Sequence, residues 1–82
     1  MDFLNSLKLT CENEKEAKKI YELILPEIQN TDRFSSKIER LKNIVVINII
    51  SKDAVALRSV LNSYLRILSM IEGIKNIEKE DE

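Results

Sequence analysis

Alternation is the first pattern along this chain. Phe3, Leu7, Leu9 and Cys11 fall on one side of an extended segment and Ser6, Lys8 and Thr10 on the other, the period of a strand with one buried face. A helix is predicted next. Asn13 followed three positions later by Glu16 reads as a capping box with an Asx side chain in place of the hydroxyl, and Glu14 and Glu16 suit the positive end of a helix dipole. Ala17, Ile20, Tyr21, Ile24, Leu25 and Ile28 recur at helical spacing, until Pro26 should stop or kink the helix. Beyond the polar connection Gln29-Asn30-Thr31-Asp32, residues 33–42 predict a second strand with Phe34, Ser36 and Ile38 on one face, and Lys42-Asn43 a tight turn. Residues 44–50, Ile-Val-Val-Ile-Asn-Ile-Ile, are β-branched almost throughout and predict a third strand, apolar on both faces.

Asp53 is the expected N-cap of a second helix running to about Gly73. Its apolar set is broad. Ala54, Leu57, Leu61, Tyr64, Leu65 and Leu68 form one stripe, which Val60, Ile67, Ile71 and Ile74 widen around the cylinder. Residues 76–82 are charged and expected to form a disordered tail after a single domain over residues 1–75. The order β-α-β-β-α predicts an α+β fold, a three-stranded antiparallel sheet with both helices packed on one face. Helices on one side leave the other side of strand 44–50 bare. Ile44, Val45, Val46, Ile47 and Ile49 are therefore the expected dimer interface, covered by a second copy, since each large aliphatic group fully buried is worth about 1.5–3 kcal/mol.

Length strengthens that expectation. A domain of 82 residues buries only about 60–65% of the surface its unfolded chain exposes, and one cysteine with no histidine offers neither an internal disulfide nor a conventional zinc site. Cys11, among Leu7, Leu9 and Thr10, reads as a small buried hydrophobe suited to a reducing compartment. No apolar run approaches the roughly 20 residues of a membrane span, and the start lacks the basic opening of a signal peptide, so a soluble cytoplasmic protein is expected. Net charge is −1, but unevenly spread: Arg33, Lys37, Arg40 and Lys42 against Glu39 alone in residues 33–42, and an acidic excess in residues 72–82.

Enzymatic readings find little material. Without histidine there is no Ser-His-Asp triad or Cys-His pair, and Gly73, the only glycine, cannot make a phosphate-binding loop, a dinucleotide fingerprint or a Gly-x-x-Gly clamp. The acidic residues of the first helix alternate with lysines, as in Glu14 and Lys18 at i, i+4, the pattern of a solvated face. A non-enzymatic chain binding no cofactor and no metal is expected.

The second helix holds an unusual polar set, Arg58, Asn62, Ser63, Tyr64 and Arg66, of which Arg58, Asn62 and Arg66 are four apart along one face. Solvated positions with Tyr64 filling core explain it as well as a recognition face does. The run from Ala56 to Arg66, preceded by Ser51-Lys52-Asp53, resembles the signature helix of the Pcc-type subunit of KEOPS, in the family that also holds the CTAG tumour antigens. Glu14-Lys15-Glu16-Ala17, Tyr21 and Leu25-Pro26-Glu27 resemble that family's first helix. The resemblance implies a dimerising scaffold whose helices dock on the threonylcarbamoyl-transferase subunit, in a complex that forms threonylcarbamoyladenosine beside the anticodon of tRNAs reading codons that begin with A. It implies that Arg58, Asn62, Ser63, Tyr64 and Arg66 meet the catalytic subunit, and that Arg33, Lys37, Arg40 and Lys42 are candidates for tRNA phosphates. A heterodimer with a paralogue and a free-standing RNA-binding module are the alternatives.

Overall fold

The computed structural model describes residues 2–81; Met1 and Glu82, which fall at the two ends of the expected domain and tail, lie outside the described residues. Strand β1 (Phe3–Cys11) runs into helix α1 (Glu14–Ile24), capped as expected by Asn13, whose Oδ1 accepts from the Glu16 amide at 2.9 Å. Pro26 sits inside a single 3₁₀ turn, Leu25–Glu27, which closes the helix. Strands β2 (Phe34–Leu41) and β3 (Ile44–Ser51) form the expected hairpin, with Lys42 in the left-handed region at φ 56°.

Helix α2 (Ala54–Leu68) ends about a turn before the expected Gly73. Ser69 draws its end inward, its amide bonding Leu65 O at 3.0 Å and its hydroxyl Arg66 O at 2.7 Å, and Ile71 N then bonds Leu68 O at 3.2 Å. Gly73, at φ +98°, completes the turn, and a Cβ there would stand 3.0 Å from the Glu16 carboxylate. The chain then does something its composition did not announce. Ile74–Asp81 forms a fourth strand, β4, antiparallel to β1, where a disordered tail was expected. Glu, Lys, Asn and Asp are poor strand formers, but β1 presents an open edge of backbone donors and acceptors, and pairing with it satisfies the ladder whatever the side chains.

The sheet is therefore four-stranded and antiparallel, in the order β2-β3-β1-β4. With its helices, the β-α-β-β-α-β sequence is the split β-α-β arrangement of ferredoxin-like domains. Every buried strand residue faces one way. Leu7, Leu9 and Cys11 of β1, Ile38 of β2 and Val45, Ile47 and Ile49 of β3 meet Ala17, Ile20 and Ile24 of α1 and Val60, Leu61, Tyr64 and Leu68 of α2 in one cluster. Register aligns them in rungs, Ile38 against Ile47 against Leu7.

Two polar devices fix α2 over this core. Tyr64, fully buried, donates its hydroxyl proton to Ser36 Oγ at 2.8 Å and accepts from the Gln29 amide at 2.9 Å, tying α2 to β2 and to the loop before it. Asp53 caps the helix through Ala56 N at 2.7 Å and holds Arg33 at 2.8 Å, and the backbone bond to Ala56, followed by the Arg33 bond, keeps its carboxyl below the usual 3.8.

Replacing Tyr64 by Phe keeps the ring's packing but orphans Ser36 and the Gln29 amide. We expect a loss of about 1–3 kcal/mol, with each kcal/mol lowering the thermal midpoint about 4–8 °C, read by circular dichroism. For Asp53, a depressed folded pKa contributes stability that is complete above the unfolded value and is lost as pH falls through the folded one. The melting temperature of the wild type should therefore drop as pH falls below 3.8, and that of an Asp53→Asn variant should drop less; parallel acid profiles would contradict the assignment.

Candidate partner-binding site

Helix α2 buries Ala56, Val60, Leu61, Tyr64 and Leu68 and turns the opposite side to solvent. Arg58, Asn62 and Arg66 are exposed there in a row, one turn apart, so the sequence-derived ridge exists as a surface. Ser63 is half-buried beside it. Tyr64 is a correction: grouped by sequence with the recognition residues, it points into the core, where Ser36 and Gln29 occupy its hydroxyl, and it is out of reach of a partner. Beside the ridge lies a groove of about 360 Å³ lined by Phe3, Leu57, Leu61 and Leu65 with Arg58 and Lys79. Lys79 was invisible to sequence reasoning. Its segment has no strand-like alternation, and only the β1 ladder brings it opposite Leu7, on the helix side of the sheet.

Strand β3 separates the five residues expected at a dimer interface into two groups. Val45, Ile47 and Ile49 are each no more than 1% exposed, covered by the chain's own helices, and this corrects their assignment to a surface. Ile44 and Val46 face the other way, half-buried, and Ile50, 47% exposed, joins them. Across the ladder Leu4 lies opposite Ile50, and Leu41 opposite Ile44, extending the aliphatic surface onto both neighbouring strands. A polar rung crosses its middle, with the Ser6 hydroxyl donating to Asn48 Oδ1 at 2.7 Å and Lys37 on the far side of Asn48. Two shallow hollows result, one along Leu41, Ile44 and Val46 and one along Leu4, Ser6 and Ile50.

The basic residues of 33–42 are not gathered on one face. Arg33 is engaged with Asp53 at the start of α2, and Arg40, opposite Val45 on the helix side, reaches Glu14 of α1 at 3.8 Å. Lys37 lies on the outer face 3.7 Å from Glu39, and Lys42 occupies the hairpin turn. Three of the four thus have carboxylate partners within the chain.

Cys11 is buried in the core, and burial, followed by the nearby Glu16 charge, pushes its thiol above its ordinary value, opposite to what a nucleophile needs. Among the described residues no cluster of three or more Cys, Asp or Glu stands ready to hold a metal, and no helix is long and apolar enough to cross a membrane.

Comparison with curated proteins and with solved structures returns no match. A family model described as transcription factor Pcc1 does match, over residues 5–76, from near the start of β1 through α2 and into β4. A match over that much of the chain, spanning both helices that suggested a Pcc-type subunit of KEOPS, shows that this protein belongs to the Pcc1 family.

Proposed function

We propose that this chain is a non-catalytic dimerisation and scaffold subunit of the cytoplasmic KEOPS complex, which forms threonylcarbamoyladenosine next to the anticodon in tRNAs reading codons that begin with A. One observation carries the reading: two uncovered surfaces of different chemistry lie on opposite sides of the molecule. The outer sheet face offers Leu4, Leu41, Ile44, Val46 and Ile50 to a second copy, and the exposed side of α2 offers Arg58, Asn62, Ser63 and Arg66 to the catalytic threonylcarbamoyl-transferase subunit. Surfaces so placed let one chain hold a twin and a catalytic arm at once, as a bridge must. Aliphatic groups give the first contact its affinity, and the arginines give the second its orientation.

A paralogue able to cover the same aliphatic face would give a heterodimer with the same consequences. A free-standing RNA-binding module is disfavoured, because such modules stack bases on sheet aromatics. None of the four aromatic residues lies on the outer face: Phe3 and Phe34 both pair with Ser51 on the helix side, and Tyr21 and Tyr64 are helical. A formal charge of −1 likewise gives no basis for autonomous DNA binding.

The two surfaces are tested by opposite variants. Arg66→Glu should abolish pull-down of the catalytic subunit while light scattering still reports a dimer, and Val46→Asp should give a monomer that retains its α-helical circular dichroism. Unchanged co-purification by Arg66→Glu would refute the landing site, and a wild-type monomer at micromolar concentration would refute the dimer. For tRNA, Lys37→Glu on the outer face should flatten the salt dependence of binding by the assembled complex by about one in log–log slope. Equal slopes would remove Lys37 from the contact.

A further inference from the structure

The sheet has two edges, and they are finished differently. At β2 the preceding loop occupies part of the edge, Thr31 N bonding Phe34 O at 2.9 Å and Asn30 Oδ1 accepting from Ser36 N at 2.8 Å and Ser35 Oγ at 3.0 Å. Along β4, among the described residues, no backbone hydrogen bond engages the side away from β1. An eight-residue edge is thus left with unpaired donors and acceptors. Beside it runs the groove of about 360 Å³ with its aliphatic floor of Leu57, Leu61 and Leu65. Arg58 and Lys79 stand at the groove, and among the described residues neither has a carboxylate partner. The other face of β4 has the opposite sign, Glu78 and Glu80 lying level with Lys8 and Ser6.

We propose that the β4 edge and the α2 groove together form a strand-acceptor site for an extended segment of another protein. The segment adds as a fifth strand, with its backbone paired to β4 and alternate side chains turned into the groove. Charge sets its chemistry. The row entering the groove is apolar with one carboxylate for Arg58 and Lys79, and the outward row is basic, beside Glu78 and Glu80. A second copy is a poor occupant. Antiparallel pairing of two β4 strands centred on Glu78 or Lys79 sets glutamate against glutamate, and β2 of another copy has its edge partly filled by Asn30 and Thr31. The site differs from the aliphatic sheet face proposed for the dimer, and although it shares Arg58 and Asn62 with the α2 ridge, it uses backbone groups of β4 that the ridge does not supply.

The probe is an acetylated, amidated octapeptide, Lys-Val-Lys-Leu-Lys-Glu-Lys-Val, compared with its sign-reversed counterpart Glu-Val-Glu-Leu-Glu-Lys-Glu-Val, each titrated into the labelled full chain and followed by amide chemical shifts. The first should perturb residues 75–80 of β4 and 57–65 of α2, and should bind at least about tenfold more tightly than the second. In an Arg58→Glu, Lys79→Glu variant that preference should shrink at least about threefold. Equal affinity of the two peptides, an unchanged preference in the variant, shifts confined to the outer-face residues Ile44, Val46 and Ile50, or no binding at millimolar peptide would each overturn the proposal. Any of these would leave the Arg66→Glu and dimer measurements untouched, so this site and the scaffold reading fail separately.

Discussion

One layer of two helices covers one face of a four-stranded sheet, and the other face is left to find its own cover. That constraint organises the molecule. On the helix side, the rungs Ile38–Ile47–Leu7 and Val45–Leu9 are closed off from water by α1 and α2, and the chain reaches a packed core despite its small size. On the far side, Ile44, Val46 and Ile50 have no helix over them, and Leu4 and Leu41 lie opposite Ile50 and Ile44. An apolar row of this kind is what a protein–protein surface is made from, and the reading as a dimerising scaffold follows from it.

The helix layer can do its work only if α2 is held at the right height and angle over the sheet. Burial of leucines is indifferent to small rotations of a cylinder. Directed bonds are not. Tyr64 reaches through the core to Ser36 and Gln29, and Asp53 grips Arg33 at the other end of the helix, so α2 is pinned at two points. The consequence for function is orientation: the row Arg58, Asn62 and Arg66 faces outward because Tyr64 faces in. A residue that reads by sequence as a recognition group is in fact what turns that row to solvent.

The same economy explains the basic strand. Arg33 and Arg40 spend their charge inside the molecule, on the α2 cap and on α1, so residues 33–42 form no continuous positive stripe in a single chain. Among the described residues, Arg58, Arg66 and Lys79 around α2 are among the cations with no carboxylate partner.

The sequence alone determined the local elements. Period-two alternation in β1, the Asn13 and Asp53 caps, Pro26 and the β-branched run of β3 are short-range instructions, set by sterics and by bonds within a few residues, and the chain obeys them. It also determined that β3 is apolar on both sides, and the run from Ala56 to Arg66 carried the family. Three things were decided by tertiary structure. Which side of β3 meets the helices depends on how the sheet packs, and this moved Val45, Ile47 and Ile49 from surface to core. Whether Tyr64 is buried depends on Ser36, 28 residues away. The strand at Ile74–Asp81 exists because β1 has an edge to offer, and no side chain in that charged segment could announce a bond that belongs to the backbone of another strand.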